Sequence, residues 1–181
     1  YGASYELPSH EGAQMARNHD VVQVSVNHRL NVLGFLDVSE IGGAAYEDSA
    51  NAGMTDLVAA LRWVRDNIAN FGGDAGPVTS LGHSGGGGKL CNLTTMPAAK
   101  GLFHRAIIQS GPELRVNDST YAGELAQAVL AEAGIAGADI EALQQLPLER
   151  VMAALRGASA KMPSSNARGG FRPVVDGAVL P

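Results

Sequence analysis

The sequence predicts an α/β fold built on a mostly parallel sheet, and three observations carry that expectation. Val21-Val22-Gln23-Val24-Ser25-Val26, the run around Val78-Thr79-Ser80-Leu81 and Arg105-Ala106-Ile107-Ile108-Gln109-Ser110 are short and rich in β-branched or aliphatic residues, as buried strands require. Between the first two lies a stretch with apolar residues at three- and four-residue steps, the mark of an amphipathic helix. Between the second and third lies a glycine-rich turn that opens a further helical segment. Helix, strand, helix, strand, turn, helix, strand is the order of a right-handed α/β unit.

The 181 residues suffice for one domain, which would bury roughly 70% of its unfolded surface. Hydrophobic residues make up 45% and charged residues 17%, as in ordinary globular domains. A net charge of −5 without any cluster of lysine or arginine argues against nucleic acid as a partner. No apolar run approaches the ~20 residues of a membrane span. The single cysteine, Cys91, excludes an internal disulfide framework. Composition assigns neither compartment nor oligomeric state.

In chain order, residues 1–8 are expected to be irregular and residues 9–18 helical, with Ser9 as N-cap and Glu11 in the first turn. After the strand at 21–26, residues 27–37 read as extended and 38–48 as loop. The strongest helix follows. Met54, Leu57, Val58, Leu61, Val64 and Ile68 form its apolar stripe, Asn51 is its expected cap, and Arg62 and Asp66 stand at i,i+4 on the polar side. Phe71-Gly72-Gly73 supplies residues that tolerate positive φ where this helix must end. Residues from Gly85 to about Thr95 read as a helix stopped by Pro97. Beyond Gly111 only helices are expected, at about 119–133 (Tyr121, Leu125, Ala128 and Val129 on one face, Gly134 at the end), 138–145 and 148–156. A polar linker over 157–170 and a return segment at 172–181 complete the chain. The expected organisation is one domain, with a sheet core over 1–111, a helical insertion over 112–171 and the return over 172–181. Three strands without edge partners make a poor sheet on their own, which points to a piece of a larger fold.

Gly82-His83-Ser84-Gly85-Gly86 fits G-x-S-x-G, the pattern of a nucleophile elbow. In such a turn the serine sits in a strained conformation between strand and helix, small residues are expected two before and two after it, and the helix amides favour a developing oxyanion. With 23 glycines in the chain the pattern alone is weak, and two other glycine-rich readings compete. A phosphate loop, G-x-x-x-x-G-K-[ST], fails because His83 stands at the first glycine and Leu90 at the hydroxyl. The dinucleotide fingerprint G-x-G-x-x-G ends on Leu90 or Cys91 and also fails.

The longer motifs agree with the elbow. Asn51-Ala52-Gly53-Met54-x-Asp56, the run from Ala60 to Ile68, Phe71-Gly72-Gly73-Asp74 and the run from Val78 to Gly86 resemble the serine-site region of type-B carboxylesterases, the cholinesterase-like α/β-hydrolases. Phe103-His104-Arg105-Ala106-Ile107-Ile108-Gln109-Ser110-Gly111 is similar to that family's next strand, and Val24-x-Val26-Asn27-His28-Arg29-Leu30 with Gly34-Phe35-Leu36 to the one before. The likeness runs in order over about residues 12–111 and returns near 172–181. It departs at His83 and Gly85, where the family often has glutamate and alanine, a variation that looks bacterial.

The resemblance implies a partial α/β-hydrolase fold and a serine carboxylesterase acting on a carboxylic ester, without cofactor or metal. Ser84 would be the nucleophile and the Gly85 N–H an oxyanion donor. The family's oxyanion loop, triad acid and triad histidine are expected outside these 181 residues. The competing readings are a non-catalytic cholinesterase-like binding or adhesion protein, against which the intact serine argues, and a nucleotide-binding protein. Arg29 and Asp74 resemble a family pair that forms a buried salt bridge. Trp63 is expected in the core, and Glu113 and Asp118 as solvated loop carboxylates. His83 is expected to pack or support rather than act as base, because neighbours in a tight turn point to different sides. His104 is expected to be structural, and His10, His19 and His28 lack metal-ligand spacing.

Overall fold

The computed structural model describes residues 12–111, 113, 115–137, 139–162 and 170–181, and the chain divides into two compact units. One joins Tyr1–Arg29 to Met54–Leu114, and the other joins Leu30–Gly53 to Arg115–Pro181.

The first unit is organised by a β-α-β element. Strand β1 (Thr79–His83) runs parallel to β2 (Arg105–Gln109), in register from Thr79 opposite Arg105 to His83 opposite Gln109. The connection passes through helix α5 (Gly85–Leu93), which packs on both strands and buries Leu90 and Leu93. Helix α4 (Ala52–Asn67) turns Met54 and Val58 fully inward, as its periodicity requires. A 3₁₀ turn, Ile68–Phe71, follows, and Gly72 at φ 78° ends it in the left-handed conformation. Helix α1 (Ala13–His19) buries no side chain, and its expected start at residues 9–11 lies outside the described residues.

Three expectations for this unit are corrected. Residues 21–26 form no strand: their valines are exposed, because a β-branched run becomes a strand only where a neighbour completes its hydrogen-bond ladder. The run 105–110 is a strand but not a buried one. Among the described residues β2 has a single neighbour, β1, and Ile107 and Ile108 stay exposed. Asp66 takes its cation from the adjacent Arg65 (Nε to Oδ1, 2.7 Å) rather than from Arg62.

In the second unit, residues expected to be extended or loop contain short helices. Helix α2 (Asn31–Phe35) buries Val32 and Phe35. Helix α3 (Ser39–Gly42) starts where Asp37 Oδ1 accepts from the Ser39 amide (3.2 Å) and hydroxyl (2.6 Å), a local turn that competes with extended backbone. A 3₁₀ turn, Ser49–Asn51, precedes α4, so Asn51 does not cap that helix. It is fully buried. Its Nδ2 donates to the Val174 carbonyl and to Asp176 Oδ2, both at 2.7 Å, and its Oδ1 accepts from the Val174 amide at 3.0 Å.

Helix α6 (Ser119–Ala133) has the predicted bounds. Asp118 caps it by accepting from the Tyr121 amide at 2.8 Å, and Gly134 ends it at φ 76°. Its buried face, Ala122, Leu125, Ala126, Val129, Leu130 and Ala133, receives helix α8 (Leu148–Lys161) through Val151, Ala154 and Ala158. The expected stop of α8 at 156 is corrected. A Cβ at Gly157 would meet Glu132 Oε2, so the missing side chain lets the helix run on beside α6 to Lys161, which pairs with Glu132. Of the linker expected over 157–170, residues 163–169 lie outside the described residues. Helix α7 (Ile140–Gln144) is capped by Asp139. Strands β3 (Asn117–Asp118) and β4 (Val174–Val175) pair in parallel where only a return segment was expected.

Candidate active site

Strand β1 ends at His83 and α5 begins at Gly85, so one residue, Ser84, turns the chain between them. Its φ of 53° and ψ of −117° lie where a side chain is strained, and such a conformation persists only where its surroundings over-determine it. They do so from both sides. The Ser84 amide donates to the Gln109 carbonyl at 2.7 Å, and the Ser84 carbonyl accepts from the Gly88 amide at 3.1 Å. The side chain is exposed. No side chain caps α5, so Gly85 presents the first amide of an uncapped helix start beside the serine, a positive end suited to an anion.

The tightness of the turn comes from two glycines. A Cβ at Gly82 would overlap the Gly86 carbonyl, and one at Gly111 would overlap the Ser84 carbonyl. Both clashes are with backbone, which no rotamer can relieve. The expectation that a small residue is also needed at Gly86 is corrected: a Cβ there meets nothing within 4 Å. Gly86 contributes its carbonyl to the crowding at Gly82 and needs no space of its own. Gly111, which the pattern does not include, is the second steric contact.

Several charged residues of the same unit were placed differently by the sequence or missed. Arg29 does not pair with Asp74. It grips Asp56 instead, through Nη2 to Oδ1 (2.6 Å), Nε to Oδ2 (2.9 Å) and its own amide (2.9 Å), and this pair is solvent-accessible. The Arg29 hydrogen bond holds the Asp56 carboxyl below the usual range. Asp74 instead accepts from the Gly76 amide within its own loop, at 2.8 Å. His28, with Nδ1 2.8 Å from the Arg29 carbonyl oxygen, has its pKa lowered, first by burial and then by Lys89. Lys89 itself is only 4% exposed, and burial lowers its pKa to about 8 against the opposing pull of Glu113. Glu113 is 7% exposed, so it is no solvated loop carboxylate. Asp118 is the exposed helix cap described above.

Of the four glycines before Lys89, Gly87 lies against the strands, where a Cβ would stand 3.2 Å from the Gly82 carbonyl oxygen and from Ile108, whereas Gly86 faces open space. Trp63, expected in the core, is 46% exposed and tilted against Phe71 with ring centroids 5.6 Å apart. His83 and His104 are exposed. Among the described residues no three His, Cys, Asp or Glu side chains cluster as metal ligands, and no helix is long and apolar enough to cross a membrane.

An exposed, strained serine between a parallel strand and an uncapped helix defines the class, the α/β-hydrolase fold. Solved structures agree. A carboxylesterase of Geobacillus stearothermophilus superposes with a TM-score of 0.88 at 40% identity, covering 99% of this chain and 36% of that one. An esterase of Clostridium hathewayi, described as able to hydrolyse aliphatic aromatic polyesters, superposes with a TM-score of 0.79 at 45% identity, over 91% of this chain and 33% of that one. The chain belongs to the carboxylesterase family, whose model matches residues 1–181. Among its relatives, the para-nitrobenzyl esterase of Bacillus subtilis (strain 168) is 40% identical over 153 residues, which is 84% of this chain and 30% of that protein. The phenmedipham hydrolase of Pseudarthrobacter oxydans is 39% identical over 149 residues, 82% of this chain and 28% of that protein. The chain thus spans about a third of the length of the relatives it matches.

Proposed function

We propose that this chain carries the nucleophile of a serine carboxylesterase, with Ser84 attacking the carbonyl of a small carboxylic ester and the Gly85 N–H donating to the oxyanion. One observation supports this above the others: Ser84 is exposed at φ 53°, locked by backbone on both sides, at the start of an uncapped helix. A nucleophile held in this way needs no reorientation before attack, and donors fixed where charge develops act without reorganisation. Attack forms the Oγ–carbon bond and a tetrahedral intermediate. Its collapse releases the alcohol and leaves an acyl-enzyme, which water then hydrolyses. A histidine oriented by a carboxylate would take and return the proton. We also read residues 1–111 as the sheet core with the nucleophile elbow, 112–171 as a helical insertion and 172–181 as a return segment.

The test exchanges residues 12–111 for the matching stretch of the para-nitrobenzyl esterase. The chimera is expected to hydrolyse nitrophenyl esters, and Ser84→Ala to lower kcat by at least ~10⁴-fold. A folded, active chimera indifferent to Ser84→Ala overturns the reading. Alone, the 181 residues are expected to accelerate ester hydrolysis by no more than roughly 10³–10⁴ over water.

A further inference from the structure

Two peptide groups meet at Ser84, and each is fixed by a different neighbour. The group entering it is set by the Ser84 amide, which donates to the Gln109 carbonyl at 2.7 Å. The group leaving it joins the Ser84 carbonyl and the Gly85 N–H in one planar trans unit. In that unit the carbonyl and the N–H point to opposite sides, so whatever holds the carbonyl also aims the N–H. The Gly88 amide holds the carbonyl from helix α5, at 3.1 Å. Gly111 backs it from the segment after β2: a Cβ there would stand 2.6 Å from the Ser84 carbonyl carbon and closer still to its oxygen.

The demand for glycine at 111 comes from this contact and not from the residue's own φ, which is not positive, unlike those of Gly72 and Gly134. The strain lies one residue earlier, at Ser110, which is exposed and has φ 55°. His83 pairs with Gln109, so the two strands end in register and each is followed by a serine at positive φ. The turn at Ser110 brings the bare Cα of Gly111 against the Ser84 carbonyl. We propose that Gly111 is a positioning residue for the oxyanion donor: it is the wall on which the Ser84 carbonyl rests, and it thereby aims the Gly85 N–H. The proposal rests on Ser84 being the nucleophile and Gly85 a donor to the oxyanion. A side chain at 111 pushes the Ser84 carbonyl aside and turns the shared plane, so the N–H swings away from the developing charge. A donor fixed before reaction acts without reorganisation, and one that must turn back loses that advantage. The loss falls on the transition state, because the ester in its ground state carries no oxyanion.

The experiment uses the chimera in which residues 12–111 replace the matching stretch of the para-nitrobenzyl esterase, where residue 111 is the last one exchanged. Ser84→Ala tests the nucleophile, and Gly111→Ala tests the positioning. Each is assayed on a nitrophenyl ester. An aryl trifluoromethyl ketone probes the oxyanion site, because addition of the serine hydroxyl places its oxygen where that of the tetrahedral intermediate would stand. Gly111→Ala is expected to lower kcat by about 10²-fold with KM unchanged, and to weaken the ketone by a similar factor. A variant that is merely less stable keeps both values in its folded fraction, which saturating ketone counts. Wild-type kcat and ketone affinity in folded Gly111→Ala overturn the positioning role, and so does a loss confined to KM. Inactive Ser84→Ala beside either result leaves the nucleophile standing, whereas an active Ser84→Ala overturns both readings together. Ketone binds only the native state and so draws a weakened variant into the fold. Gly111→Ala that stays unfolded under saturating ketone makes this glycine a requirement of folding alone and overturns the proposal.

Discussion

The amide of Ser84 donates to the carbonyl of Gln109 at 2.7 Å, so the last residue of β2 fixes the residue that follows β1. The serine's backbone is therefore set by a neighbouring strand as well as by its own turn.

Crowding at the elbow predicts unequal costs for three superficially similar changes. Gly82→Ala and Gly111→Ala each press a methyl group into backbone and are expected to destabilise the chain by about 1–3 kcal/mol or more. Gly86→Ala points into open space and should be neutral, or stabilising by about 0.5–1 kcal/mol, because alanine favours the helix. Urea midpoints of the three variants check the order, and an equal loss in all three would contradict the geometry.

Asn51 satisfies both backbone groups of Val174 in a site closed to water. Asn51→Ala leaves a buried N–H and a buried C=O unpaired, at an expected cost of about 2–4 kcal/mol. Chemical denaturation measures it. A loss below about 1 kcal/mol would mean that water replaces the side chain.

Lys89 gives stability a slope against pH. In the unfolded chain the amine keeps its proton up to the ordinary value of 10.5, and in the fold only to about 8. Between those values the native state binds fewer protons than the unfolded one. Stability therefore rises with pH across this window, by about 1–3 kcal/mol, and is flat below it from this group. Denaturation series spanning the window should show the rise in wild type and not in Lys89→Met.

Asp56 behaves in the opposite range. Its native pKa is depressed by Arg29, so the pair stabilises above the unfolded carboxylate value, and that contribution is lost as pH falls through the native one. Because both side chains reach solvent, Asp56→Asn is expected to cost under about 1 kcal/mol near neutrality, and less in high salt. Thermal melts of both chains at neutral and acid pH test the direction.

What the sequence made legible was local. The bounds of α6, the stripe of α4, the glycine stop at Gly72 and the strand–turn–helix around Ser84 each follow from residues adjacent in the chain. What it concealed depended on distant partners. Residues 21–26 carry the side chains of a strand but find no ladder among the described residues. Asn51 has the chemistry of a helix cap and directs it to Val174, 123 positions away. Arg29 could answer either Asp56 or Asp74, and only the fold selects Asp56. Lys89 and Glu113 look like surface residues, and no periodicity reveals that the fold encloses them.

The glycine run also makes helix α5 dependent on its neighbours. Helix α5 opens with Gly85, Gly86, Gly87 and Gly88, each disfavouring helix by about 1 kcal/mol relative to alanine. A nine-residue helix so disfavoured does not form before its neighbours exist. The strained turn at Ser84 therefore depends on the pairing of β1 with β2, and a chain without that pairing would carry an ordinary, unstrained serine.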